Sequence, residues 1–256
     1  MQVADDMGSP VTISERVNRI VSLVPSLTEA VAATRRDSLI GVTDWCTHPA
    51  DLSVARVRGT KNPDVKAIVD LLPDLVLANK EENRELDVRR LREAGVPVWV
   101  TVIETVPQAL TSMNRLFTEA LHWPVPDWLN QARRLWSGPV PQVRARVAVP
   151  IWRDPWMVVG SSTYTGDLLR RAGLENVFGN DKDRYPGVSL DQIDRADIDR
   201  VLLPDEPYAF GVYDGPEAFR NARTELVSGR LLTWYGPAMV EAAQVLHAIP
   251  APLVTR

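Results

Sequence analysis

The pattern that most limits how this chain can fold is an alternation of short apolar runs with amphipathic helical stretches. It occurs twice, on either side of a proline-broken helical segment. In the first pass, residues 19–24, 39–43, 75–78 and 97–102 read as strands. Helical patterns lie between them at 27–34, 65–72 and 82–94, the last closed by Gly95. Ser26 with Glu29 three residues on has capping-box spacing, which predicts a helix start there. Strands separated by helices build parallel sheets covered on both faces, because a parallel crossover needs a helix-sized connection.

The middle of the chain differs. Residues 105–121 carry Val106, Leu110, Met113, Leu116, Phe117 and Leu121 at helical spacing. Pro124 and Pro126 interrupt that helix, since proline lacks the donor and clashes with the preceding turn. A second helix is expected from Pro126 or Asp127 to Trp136, followed by a Pro/Gly linker over 137–142. The alternation then restarts. Residues 147–151, 200–203 and 231–235 are predicted strands; 166–172, 190–196 and 237–247 are predicted helices. The reading is an α/β fold with an N-terminal lobe over 1–103, a helical connector and linker over 104–142, and a C-terminal lobe over 143–256. A cleft between the lobes is the expected ligand site.

Acidic and basic residues nearly balance at a net charge of −4, with the basic ones scattered, so a nucleic-acid surface is not expected. One cysteine, Cys46, excludes an internal disulfide and a four-cysteine zinc site. No apolar stretch approaches the ~20 residues of a membrane helix. The start, MQVADDMGSPVTISERVNR, has no apolar core of a leader. As written, the chain is expected to be cytoplasmic; with a leader removed ahead of Met1, it would be extracytoplasmic.

Chemistry-bearing residues gather where strands end. Residues 150–164, PIWRDPWMVVGSSTY, place Trp152, Arg153, Trp156 and Tyr164 in one short stretch. Tyr208 stands in an aromatic loop, Glu206-Pro207-Tyr208-Ala209-Phe210. In the first half, Trp45, Cys46 and His48 follow a strand, with Lys61 and Glu82 in neighbouring loops and Tyr185 and Trp234-Tyr235-Gly236-Pro237 as further candidates. Aromatic walls with a few fixed polar groups suit a large, flat, partly apolar ligand; the same aromatics would equally fill an ordinary core. Cys46 and His48 have a C-x-H spacing that could present both to one side. Two ligands are too few for a bare ion, so the better metal role is His48 as an axial ligand to a metal already held in a macrocycle; the alternative is that Cys46 packs as a small apolar side chain and His48 bonds the backbone before Pro49. Glu81 and Glu82 also suit a helix start. Arg153 is either part of an internal ion pair or a clamp for a ligand carboxylate or phosphate. No P-loop, G-x-S-x-G or Rossmann glycine motif occurs, and no spacing selects a triad.

The ordered stretches RIVSLVPSLTE (19–29), IGVTDWCTHP (40–49), GTKNPDVKAIVDLLPDLVLA (59–78) and EENRELDVRRLREAGVPVWV (81–100) resemble one family. So do IWRDPW, TYTGDLLRRAGLENVF, PGVSLDQI, RVLLPDEPY and WYGP in the second half. The family is the helical-backbone (class III) substrate-binding proteins of ABC importers, in the cobalamin, haem and ferric-siderophore branch. The likeness runs over residues 5–248. It implies two Rossmann-like lobes, a rigid connecting helix, and binding without catalysis by a monomer. No intrinsic cofactor is implied; the ligand would carry cobalt or iron. Family members present one acid from each lobe to permease arginines. The second-lobe position corresponds to Asp191, while the first-lobe position holds Lys66, a charge reversal, with Asp64 beside it. The alternative is a cytosolic chelatase-like or metallophore-processing enzyme on a similar frame, with His48, Glu81 and Glu82 moving protons or metal.

Overall fold

The computed structural model describes residues 1–249. They divide into two compact units. Unit 1 comprises Met1–Ile103, Pro107–Arg133 and Tyr235–Pro237; unit 2 comprises Glu104–Val106, Arg134–Trp234 and the chain from Ala238 onward. The expected helical connector therefore belongs largely to unit 1.

Unit 1 is built on β1 (Ile20–Ser22), α1 (Pro25–Arg35), β2 (Leu39–Val42), β3 (Ala55–Arg56), α2 (Val65–Asp70), β4 (Leu75–Asn79), α3 (Glu85–Glu93) and β5 (Val98–Thr101). The strands form one parallel sheet in the order β3-β2-β1-β4-β5. Every residue of β4 is buried, as expected of a parallel strand covered on both faces. Val21, Leu23, Val76, Ala78, Val98 and Val100 pack with Ile68, Val88 and Leu91 in one core cluster. Each valine, leucine or isoleucine among them contributes about 1.5–3 kcal/mol on burial. The N-terminus adds a small hairpin, Gln2–Ala4 with Pro10–Thr12.

The expected start of α1 is corrected. Pro25 occupies its first turn and Val24 is the cap, with no side-chain capping bond. A proline preset to helical φ and missing only an orphan N–H starts this helix without a capping box. Thr28 instead returns its hydroxyl to the Val24 carbonyl at 3.0 Å.

The long helical segment forms α4 (Val106–Arg115), a π-turn over Leu116–Ala120, and α5 (Asp127–Trp136). The break falls where the prolines put it. His122 takes a left-handed φ of 53°, and Trp123 N–H closes onto the Phe117 carbonyl at 2.8 Å. Trp128 meets Phe117 edge-on at 5.7 Å, and Arg35 lies 4.7 Å over the Trp123 ring.

Unit 2 contains β6 (Ala145–Ala148), β7 (Pro150–Trp152), β8 (Met157–Val158), α6 (Tyr164–Arg171), β9 (Leu174–Asn176), α7 (Leu190–Ile193), β10 (Arg200–Pro204), β11 (Thr224–Val227), α8 (Gly229–Thr233) and α9 (Ala238–Ala248). Its parallel sheet has the order β9-β6-β10-β11. β7 and β8 form a separate antiparallel hairpin. The strand expected at 231–235 is helix α8, and the edge strand lies earlier, at β11. The run RLLTW is apolar enough for either, and the Ser228-Gly229 start turns it into a helix that buries Leu231 and Leu232. α7 is shorter than the expected 190–196, ending at Ile193, where Asp194 departs from helical geometry. Ser189 and Gln192 form a true capping box there.

Candidate functional site

In an open parallel sheet, ligands meet the carboxyl ends of strands where the strand order reverses, because the two flanking loops diverge there and leave a crevice. In unit 1 that reversal lies between β1 and β4; in unit 2 it lies between β6 and β10. Each of these edges carries residues singled out by the sequence.

In unit 1 an asparagine pair fixes the loops. Asn83 accepts from the Asn79 N–H at 2.8 Å and donates to the carbonyls of Leu23 and Thr60 at 3.3 and 2.9 Å. Asn79 accepts from the Glu81 N–H at 2.8 Å and donates to the Thr101 hydroxyl at 3.1 Å. Both are buried, so these bonds replace water that the groups gave up. Lys61 donates its ammonium to the Glu81 carbonyl. Glu82 accepts from the Tyr235 hydroxyl at 3.2 Å. Burial and then the Glu82 charge push that phenol well above its ordinary pKa.

The loop after β2 splits its candidates. Trp45 is 66% exposed, and His48 is exposed with Nδ1 3.2 Å from the Thr47 hydroxyl. Cys46 turns inward. Its Sγ lies 3.1 Å from Thr28 Oγ1 and 3.2 Å from Thr43 Oγ1. Burial raises the thiol pKa above its ordinary value. The expectation that Cys46 and His48 face one side is therefore corrected. The loop coils rather than staying extended, with Cys46 N–H bonded to the Thr43 carbonyl, so i and i+2 do not align.

Unit 2 presents the aromatic set. Trp152, at the end of β7, is 45% exposed and meets Tyr208 edge-on at 5.6 Å. Trp156 is buried, parallel to Phe210 at 5.9 Å and edge-on to Phe219 at 5.5 Å. Tyr164 is likewise buried, its hydroxyl 3.4 Å from the Trp234 carbonyl, and desolvation raises its pKa. Trp156 packs with Phe210 and Phe219 beneath Tyr208, Trp152 lies at the surface of this set, and Tyr164 packs against the Trp234 carbonyl.

Arg153 is corrected as an anion clamp. Its guanidinium is bonded to Asp214 and, at 2.5 Å, to Glu217. It stands 5.6 Å over the Trp156 ring, with neighbouring Asp154 at 3.8 Å. Tyr208 donates to the second Asp214 oxygen at 2.7 Å. The internal-pair reading holds, with partners that sequence reasoning missed. The available signal was the acidic run from Asp205 to Glu217. Glycine at 229 lets the Asp205–Phe210 loop lie close: a Cβ there would sit 2.6 Å from the Glu206 carbonyl, and the Gly229 N–H donates to Asp205 at 2.7 Å.

The expected docking acids stand on exposed helix starts. Asp191 is exposed in the first turn of α7. Lys66 pairs with Asp70 at 2.6 Å, while Asp64 caps α2 through the Ala67 N–H at 3.0 Å and lies 3.4 Å from Arg58.

No family model matches the chain. It is 24% identical over 201 residues to the vitamin B12-binding protein of Pectobacterium carotovorum, covering 74% of this chain and 72% of that one. Among solved structures, the periplasmic vitamin B12 binding protein of Vibrio cholerae superposes with a TM-score of 0.73 at 17% identity, over 90% of this chain and 95% of that one. A periplasmic heme binding protein from Pseudomonas aeruginosa gives 0.73 at 21% identity, over 93% and 96%. The resemblance to substrate-binding proteins of the cobalamin, haem and siderophore branch is borne out, as is the α/β fold. These relatives are binding proteins, against the alternative of an enzyme.

Proposed function

We propose that this chain binds a metal-containing macrocycle or chelate, of the corrinoid, haem or ferric-siderophore kind, without transforming it. The observation that carries the reading is exposed Trp152, edge-on to half-buried Tyr208, beside the strand-order reversal of unit 2. Exposed aromatic faces at that position offer large apolar contact with little rotamer entropy to lose, which suits a flat ligand. Trp45, exposed after β2, is the counterpart in unit 1. The cobalt or iron arrives with the ligand. His48, exposed on the loop of Trp45, is the side chain proposed to reach that metal axially.

Relatives described as periplasmic support an extracytoplasmic location; an ABC permease is the partner proposed with it. Among the described residues no helix is long and apolar enough to cross a membrane. Asp191 is proposed as the docking acid of unit 2. In unit 1 Lys66 breaks the acidic pattern, and Asp64 is already committed to capping and to Arg58.

The test is a tryptophan-fluorescence titration with cyanocobalamin, haem and a ferric catecholate. At least one should quench saturably at micromolar concentration or below, and His48→Ala should shift the absorption band of the bound complex. Absence of quenching by all three ends the proposal.

A further inference from the structure

Trp45 is exposed, yet the loop that carries it is held on every side. The Arg56 guanidinium donates to the carbonyls of Thr43 and Cys46, which bracket Trp45, at 2.9 and 3.0 Å, and to that of Leu52 at 3.3 Å. The Asp44 N–H donates to the Arg58 carbonyl at 2.8 Å, which ties the loop to a hairpin pairing Arg58–Gly59 with Asn62–Pro63. That hairpin is fixed in turn by Asn83, which donates to the Thr60 carbonyl. Gly59 faces the indole. A Cβ there would stand 3.3 Å from the Trp45 ring nitrogen and would collide with the Asn62 carboxamide oxygen. Backbone freedom does not explain this glycine. The left-handed residue of the hairpin is Arg58, with a φ of 66°, whereas Gly59 lies outside that region. The chain keeps a side chain where the backbone is strained and gives one up where the indole lies.

We infer that Gly59 is the positioning residue of Trp45: the missing side chain seats the indole edge against the hairpin and presets the ring for its ligand. An exposed indole ordinarily samples several rotamers, and ordering it on association costs affinity. A ring already seated meets the ligand with that cost removed. Gly59→Val puts branched methyl groups into the seat, and the extended pair Gly59↔Asn62 accepts a β-branched residue. Gly59→Ala is milder, because the end of the Asn62 side chain can swing aside and the indole need yield only a little. This inference rests on the binding function proposed above and adds how its unit 1 contact is made ready.

The first measurement needs no ligand. The indole N–H of Trp45, assigned in proton–nitrogen correlation spectra by its loss in Trp45→Phe, should have an order parameter near about 0.85 in wild type and below about 0.6 in Gly59→Val. Gly59→Ala should fall between, and circular dichroism confirms that each variant is folded. The second measurement is the dissociation constant for cyanocobalamin, haem and a ferric catecholate. Gly59→Val should weaken each probe that binds wild type by about threefold to tenfold. In a Trp45→Ala background the same change should add nothing. A mobile Trp45 indole in wild type overturns the seat, as does an indole unmoved by both Gly59 variants. Equal loss of affinity with and without Trp45 overturns it too, since Gly59 would then act on the fold alone. If Gly59→Val does not fold, Gly59→Ala decides by the same two readouts. Failure of all three probes to bind wild type overturns the binding function, while a rigid indole loosened by the Gly59 variants still upholds the seat.

Discussion

The two strand-order reversals solve the same structural problem with opposite materials. In unit 1 the loops are tied by buried amides, Asn79 and Asn83, whose bonds run to backbone carbonyls and N–H groups of β1, β4 and the loop at Thr60. Charges balance in the loop after β4, where Lys80 and Arg84 stand against Glu81 and Glu82. In unit 2 the loops are tied by ring stacking below and an arginine–carboxylate network above, and the face is acidic. An amide lock is neutral and insensitive to pH; an ionic lock carries its charge to whatever binds. The difference teaches that unit 2 ties its loops with ionised groups, while unit 1 ties its own with neutral amides.

The sharpest break of that comparison comes within one hairpin. Trp156→Ala removes a ring packed on Phe210 and Phe219 and should destabilise by about 3–5 kcal/mol, read as a lowered urea midpoint. Trp152→Ala, four residues away and half-exposed, should leave that midpoint nearly unchanged and weaken ligand binding about tenfold. Normal binding by Trp152→Ala would return the residue to a merely structural role.

Next in size is the amide lock. Asn83→Ala leaves the Asn79 N–H and the Leu23 and Thr60 carbonyls without this partner. Unsatisfied buried polar groups cost about 1–3 kcal/mol each, and partial rehydration of the Thr60 end keeps the total near 2–4 kcal/mol. A chain of this size should then melt on the order of 5–15 °C lower. Asn83→Asp keeps the acceptor but turns a buried carboxylate oxygen toward the Leu23 and Thr60 carbonyls and should destabilise at least as much as alanine. If Asn83→Ala melts with wild type, the loops of unit 1 are held by something other than this pair.

How much of this was legible beforehand follows from range in sequence. The parallel strands were readable because each is a local apolar run, and the break before α5 because proline acts on its immediate neighbours. Trp152 and Tyr208 were readable as strand-end aromatics. Their division from Trp156 was not, since burial of Trp156 depends on Phe210 and Phe219, more than fifty residues on. Arg153 beside Asp154 suggested a local pair; its actual partners lie about sixty residues away, brought near by the β6–β10 adjacency. The run 231–235 misled because apolarity alone does not separate a short strand from a short helix, and its neighbours decided.

The smallest effect tests the ionic lock by pH. Asp214 has its pKa depressed in the folded protein, so its contribution to stability is present above about pH 4, the unfolded carboxylate value, and is lost as pH falls through the folded value. Tyr208, donating to Asp214, has its pKa raised by that bond and by desolvation. Its contribution is present below about pH 10 and is lost as pH rises through the folded value. Asp214→Asn should remove both ends together. The variant should show a shallower loss of stability on acidification, and one tyrosine should ionise earlier in an ultraviolet titration. The amide lock of unit 1 has no group that titrates in either window, so Asn83→Ala should leave both slopes unchanged. An Asp214→Asn protein whose acid and alkaline limbs overlay those of wild type would mean that the Arg153 network is a surface contact rather than the feature that sets unit 2 apart.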